Sequence, residues 1–239
     1  MTLPYSFPTN VGTGGLGVNS GPFPYGGNLY AALWNSSTHY ITVYMSSDNG
    51  ATWNEQDSAH HPACVSSGGI LGGAGFLKGS LLYVAYLTTT TNLVVRTFDC
   101  STNLWGSATA GLTIVNPTNG VLIIVVDSSN NIYVCYTATA SYVGYYAKYS
   151  SGAWGTPVAI GTSSFLYPNG MIIDNTDRIT FILSNSGASP SAFYAQVLTS
   201  GGVLKTPVQI NASSNRYAVC TIHTVFTHSS TTYIGTVLF

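Results

Sequence analysis

Cleavage of a glycosidic bond needs two carboxylates converging to within about 5 to 10 Å of each other. The chain holds seven acidic residues in all: Asp48, Glu55, Asp57, Asp99, Asp127, Asp174 and Asp177. Asp127, Asp174 and Asp177 fall in the segments DSSNN and DNTDR, whose Asx chemistry reverses a chain between strands, so backbone capping is their expected work. Under the alternative reading, a divergent glycoside hydrolase, these are the three whose change to Asn should abolish hydrolysis. Nucleophilic chemistry has less to start from, since no Gly-x-Ser-x-Gly elbow occurs and no histidine stands in a recognisable motif. His60 and His61 are adjacent, and neighbours in extended chain point apart; His223 and His228 have the odd spacing that puts them on opposite faces of a strand. Cys64, Cys100, Cys135 and Cys220 show no CxxC or CxxH spacing and read as free thiols, the last two within apolar runs. No catalytic residue, metal site or cofactor is assigned.

These groups are sparse because charged residues make up only 5% of the 239-residue chain, with a formal net charge of -1. Six Lys plus Arg, scattered singly, give no electrostatic footprint for nucleic acid or an anionic membrane surface. Low charge does not mean disorder here, because 45% of residues are hydrophobic and gather in short β-type runs such as LLYVAYL. Residues 121–126, the longest apolar stretch, are too few to span a bilayer. Residues 1–4 open no basic and apolar leader, so the chain reads either as a mature fragment or as a protein that leaves its cell by another route, for example inside a virus particle.

The elements that must position the polar residues repeat with a period near fifty. Segments ending at Trp53, Trp105, Trp154 and Leu204 are spaced by 52, 49 and 50 residues. Each is preceded by a β-type run, NLYAALW, SLLYVAYL, NIYVCYT and RITFILS, and IHTVFTH supplies a fifth copy. Apolar runs upstream (GILGGAGFLKG, GVLIIVVDSSN, GMIIDNTD) read as innermost strands A. Proline-bearing segments downstream (GTPVAIG, KTPVQIN) suit outermost edge strands D. Four antiparallel strands per unit and five units predict a five-bladed β-propeller forming one domain over residues 1–239. The fifth unit has A at 217–219, B at 222–228 and C at 232–239. Residues 3–8 are expected to supply its missing strand and close the ring. Taken from a neighbouring copy, that strand would make a homo-oligomer. A two-sheet sandwich and part of a larger propeller are the competing architectures.

Residues Ser46, Asp48, Gly50, Thr52 and Trp53 match the pattern Ser-x-Asp-x-Gly-x-Thr-Trp. At that stretch the chain resembles the Asp-box (BNR-repeat) sialidase-like β-propellers. SSGAW and STNLW retain parts of the pattern around Trp154 and Trp105. Local chemistry gives the box a structural role, in which Asp48 accepts from turn amides, Gly50 supplies a positive φ, and Thr52 and Trp53 tie the hairpin. The resemblance implies fold more than activity. Sialidases of the family hold a carboxylate with three arginines, whereas Arg96, Arg178 and Arg216 lie in no Arg-Ile-Pro motif. Glu55, the only glutamate, directly follows the box and is expected on the wrong side of the blade for catalysis.

Seventeen tyrosines and four tryptophans on a neutral Gly/Ser/Asn-rich background could serve as rigid amphipathic contacts. Tyr5, Tyr25, Tyr142 and Tyr167 read as loop residues and are the ligand-binding candidates. The sequence is therefore read as a non-enzymatic recognition or structural module on the cell exterior or a virion surface, similar in composition to phage tail, fibre and decoration domains. Its expected partners are a cell-surface glycan or other virion subunits.

Overall fold

The computed structural model describes residues 20–35, 38–65, 74–114, 117–138, 143–161, 166–185, 192–212, 221–228 and 231–238. Among them are five antiparallel sheets, one after another along the chain. The first is β1 (Ser20–Tyr25), β2 (Asn28–Asn35), β3 (Tyr40–Ser46) and β4 (Asn54–Gln56). The second is β5 (Ala74–Lys78), β6 (Leu81–Thr89), β7 (Asn92–Asp99) and β8 (Leu104–Ala108), with the short β9 (Leu112–Thr113) also pairing β7. In the third, β10 (Pro117–Val126), β11 (Ile132–Ala138), β12 (Gly144–Ser150) and β13 (Ala153–Trp154) follow in order, and β14 (Val158–Ile160) also pairs β12. The fourth is β15 (Leu166–Ile173), β16 (Ile179–Asn185), β17 (Ala192–Leu198) and β18 (Val208–Ala212). Described strands of the fifth are β19 (Thr221–His228) and β20 (Thr231–Leu238).

Second strands such as β6 and β11 are buried on both faces over most of their length. That is why LLYVAYL and IYVCYT read as unbroken apolar runs rather than alternating ones. Fourth strands are short and mostly exposed, as edges that take no further partner tend to be. The chain divides into two compact units, Met1–Ile124 and Val125–Phe239. In the first unit a core forms where Tyr30, Ala32, Trp34, Ile41 and Val43 of the first sheet meet Leu82, Val84, Tyr86, Val94, Phe98 and Trp105 of the second. The innermost strands β1 and β5 approach so closely that a Cβ on Gly75 would lie 2.8 Å from Ser20 Cβ, and the Gly75 amide donates to Ser20 Oγ at 2.8 Å.

The segment SGPFPY, which carries no strand signal in the sequence, is β1. Its prolines sit on the innermost strand, which has a free edge and so tolerates missing donors. Residues 3–8 and 217–219, Arg216 and Cys220 lie outside the described residues. Cys64, Cys100 and Cys135 are free thiols, and burial pushes all three up from the ordinary value, Cys64 to about 11.

Candidate functional site

The Asp-box hairpin joins β3 to β4. Ser46 Oγ donates to Asp48 Oδ1 at 2.7 Å and accepts from the Gly50 amide at 2.8 Å. Asp48 also accepts from the Thr52 amide (2.8 Å) and hydroxyl (2.6 Å), and Trp53 Nε1 donates to Gly50 O at 3.1 Å. Asn49 and Gly50 take φ of 57° and 90° within the loop that runs from Ser46 to Asn54. Ser151 and Gly152 take similar values, 52° and 85°, in the shorter two-residue turn between β12 and β13, the paired left-handed geometry of a tight hairpin.

The Thr52 hydroxyl and amide, then Ser46, hold the Asp48 carboxyl at about 2, below the ordinary 3.8. A carboxylate with a depressed folded pKa contributes stability fully above its unfolded value and loses it as pH falls through the folded one. Asp48 should therefore support the hairpin undiminished above about pH 4 and release it only near pH 2. A carboxyl-carbon NMR titration should place its midpoint near 2; a midpoint at or above 3.8 would mean that these hydrogen bonds do not persist in solution.

Asp127 and Asp174 cap matching turns between the first and second strands of their sheets. Asp127 Oδ1 accepts from the Asn131 amide (2.8 Å) as Asp174 Oδ1 does from Arg178 (3.1 Å), and in each turn the residue before the donor is left-handed, Asn130 at 66° and Asp177 at 60°. Arg178 also forks onto Asp174, with Nε and Nη2 at 2.7 and 2.6 Å from Oδ2. Burial alone raises the Asp174 carboxyl, but the donors of Thr176 and Arg178 outweigh it and leave it below the ordinary range. Asp177 reaches back to the neighbouring sheet's turn, accepting from the Ser128 amide at 2.8 Å and from its hydroxyl. Asp99 accepts from the Ser101 hydroxyl and amide (2.7 and 2.9 Å), which hold its carboxyl low.

Five of the seven carboxylates thus serve turns at one end of the sheets. The other two are Glu55, in the middle of β4, and Asp57, in the chain leaving β4 toward the end where the β2–β3 turn also lies. Asp57, left-handed at φ 47° and with its side chain only 5% exposed, accepts from the Trp105 amide of the second sheet at 2.8 Å and meets His60 Nδ1 at 2.5 Å. Burial raises its carboxyl, but the Trp105 amide, His60 and Arg96 together bring it below the ordinary value. Arg96 on β7 closes the same junction, its Nε donating to Gly106 O (2.6 Å), its Nη1 to His60 O (2.9 Å), and its guanidinium lying 5.5 Å from the centre of the Trp105 ring. Gln196 on β17 makes the equivalent stitch in the other unit, donating to Lys205 O (2.9 Å) and accepting from the Gly161 amide (2.7 Å).

Glu55 directly follows the Asp box and lies mid-strand on β4, opposite Tyr44, and its Oε1 is 2.9 Å from His61 Nε2, out of line for a hydrogen bond. The Tyr40 ring stands 6.1 Å from that of His61. Tyr40, His61 and Glu55 therefore form a row on the first sheet. His60 and His61 engage different carboxylates.

Two of the four binding candidates from the sequence, Tyr25 and Tyr167, lie among the described residues. Tyr25 ends β1 and packs, half-buried, against the core of the first unit rather than standing in a loop. Tyr167 lies on β15, opposite Ser184, again not in a loop. Tyr5 and Tyr142 lie outside the described residues. Tyr40 gives no signal in the sequence, because it opens the apolar run YITVYM and looks like strand interior.

No protein-family model matches the sequence, and no curated protein matches it. Solved structures do resemble it in fold. Hydrazine synthase of Kuenenia stuttgartiensis superposes with a TM-score of 0.56 at 13% identity, over 86% of this chain and 58% of that one. An alpha-L-arabinanase of Penicillium chrysogenum, solved with arabinobiose, gives 0.51 at 16% identity, over 82% and 67%. An exo-beta-1,3-galactanase of Phanerochaete chrysosporium, solved with galactose, gives 0.50 at 11% identity, over 84% and 51%. The chain spans between about half and two thirds of the length of these structures. Its fold class is all-β, a five-bladed β-propeller of four-stranded antiparallel blades, shared with glycoside hydrolases.

Proposed function

We propose that this propeller binds carbohydrate without cleaving it, as a decayed member of the Asp-box, sialidase-like propellers displayed outside the cell or on a virion. The observation that carries the non-hydrolytic part is the fate of the acidic residues. All seven lie among the described residues: six aspartates cap turns or pin one sheet to the next, and only Glu55, 42% exposed and 2.9 Å from His61 Nε2, does neither. Releasing any of the aspartates for acid–base chemistry would strip donors from a turn. The names of two fold neighbours, an arabinanase and a galactanase, support carbohydrate as the ligand class. A surface with few charges and many aromatic, hydroxyl and amide groups suits neutral sugars, and the exterior or virion setting rests on the same composition.

The fold likeness to these two enzymes also favours a second reading, hydrolysis by a divergent glycosidase. One experiment separates the two. The purified chain is applied to a panel of neutral glycans that includes arabinobiose and galactose, and the sugars that bind are weighed by mass spectrometry after overnight incubation. Intact sugar bound with a Kd in the millimolar to micromolar range, about -4 to -8 kcal/mol, is the expected result. Cleaved sugar would establish the hydrolase, and a silent panel would leave other protein subunits as the partner.

A further inference from the structure

Among the described residues, three side chains stand together at the first sheet without a structural role that accounts for them. Tyr40 is 40% exposed although it opens a strand whose next three residues are buried. The Glu55 side chain is 42% exposed and, unlike the six aspartates, neither caps a turn nor pins a neighbouring sheet. The His61 side chain is only 11% exposed, and its Nε2 has no aligned hydrogen-bond partner despite lying 2.9 Å from Glu55 Oε1. An unsatisfied buried nitrogen beside a carboxylate is costly unless a third group completes the geometry.

The placement favours a ligand. Strand β3 begins at Tyr40, and Tyr40 bridges Ala63 in the connection leaving β4. The row therefore starts at the end of the sheet opposite the Asp box and runs along the outer hairpin as far as the Glu55–Tyr44 pair. Glu55 stands directly across from the half-buried Tyr44 in register, and burial, then that carboxylate, raises the Tyr44 phenol. The connection is held rigid by Asp57 on the Trp105 amide and Arg96 on His60 O, so His61 is presented by a fixed backbone.

We infer that Tyr40, His61 and Glu55 form a subsite for one neutral sugar residue of a glycan. The Tyr40 ring stacks on the apolar CH face of the sugar, Glu55 accepts from two neighbouring hydroxyls, and His61 Nε2 meets one of the same hydroxyls. Sugars combine an apolar face with vicinal donors, which is the complement of an aromatic beside a carboxylate. An anion would be repelled by Glu55. Among the described residues, no three His, Cys, Asp or Glu side chains are grouped to hold a metal ion.

The inference rests on the carbohydrate reading, and the test keeps the two apart. The best-binding member of the neutral glycan panel is titrated against the wild-type chain, Tyr40→Ala, Glu55→Gln and, as a control on an exposed residue of another sheet, Val208→Ser. Tyr40→Ala and Glu55→Gln should each weaken binding about tenfold, with Val208→Ser unchanged. In the wild-type chain, the NMR signals of the Tyr40 and His61 rings should shift as the sugar is added, a readout that needs no variant to fold. If sugar binds while those signals stay still and both variants bind like wild type, the subsite is overturned and the carbohydrate reading stands. If the wild-type chain binds no member of the panel, both fall.

Discussion

Replacing Phe98 by alanine should cost about 3–5 kcal/mol, a large share of the roughly 5–15 kcal/mol that holds a typical domain together. Phe98 is 0% exposed and sits where two sheets of the first unit meet. Its ring stands edge-on to Trp105, with centroids 5.4 Å apart, and tilted against Tyr30 at 6.3 Å. Within its own sheet it lies between Leu82 and Trp105 in register. Tyr30 is itself fixed across the junction, its hydroxyl 2.9 Å from Cys100 O and 3.0 Å from Asn103 Oδ1. The void left by the ring is therefore walled by two hydrogen-bonded sheets that have little freedom to close on it, and a cavity that stays open gives the upper part of the range. The measurement is urea unfolding followed by tryptophan fluorescence, with the midpoint falling at unchanged slope. A loss under about 1 kcal/mol would mean that the two sheets do not share this core in solution.

Asp57→Ala should cost about 2–3 kcal/mol, through a different mechanism. The substitution removes the acceptor of the Trp105 amide and leaves that amide, in a buried residue, without its partner. It also leaves Arg96 and His60 without their nearby carboxylate. Because Arg96 grips the same connection through His60 O, a double-mutant cycle of Asp57→Ala with Arg96→Met should show coupling rather than addition. Additive losses would mean that the two side chains act as separate surface contacts. The same change should impair sugar binding, since Asp57 anchors the segment that presents His61.

Much of this architecture is readable in the sequence because it is made by local chemistry. NLYAALW, SLLYVAYL, NIYVCYT, RITFILS and IHTVFTH became β2, β6, β11, β16 and β19 with ends shifted by at most a residue or two. In DSSNN and DNTDR the capping aspartate and its donor are four residues apart, so the sequence alone carries the whole turn. The Asp box is likewise complete within eight residues. Strand β1 is not readable, because Gly21, Pro22 and Pro24 speak for a loop and only pairing with β2 makes the segment extended. Tyr25 reads as a loop residue for the same reason, although it ends that strand.

The all-β class, the fifty-residue period, the hairpin turns and the scarcity of free charge are legible in the chain alone, since each follows from residues close together along it. Which polar groups meet is set by the folded arrangement of the strands. Tyr40, Glu55 and His61 come from a third strand, a fourth strand and the connection beyond it, while Asp57 and Arg96 act across to the neighbouring sheet. Those meetings depend on strand register and on how one sheet packs against the next. Register is fixed by burial summed over whole strands, so no short motif records it.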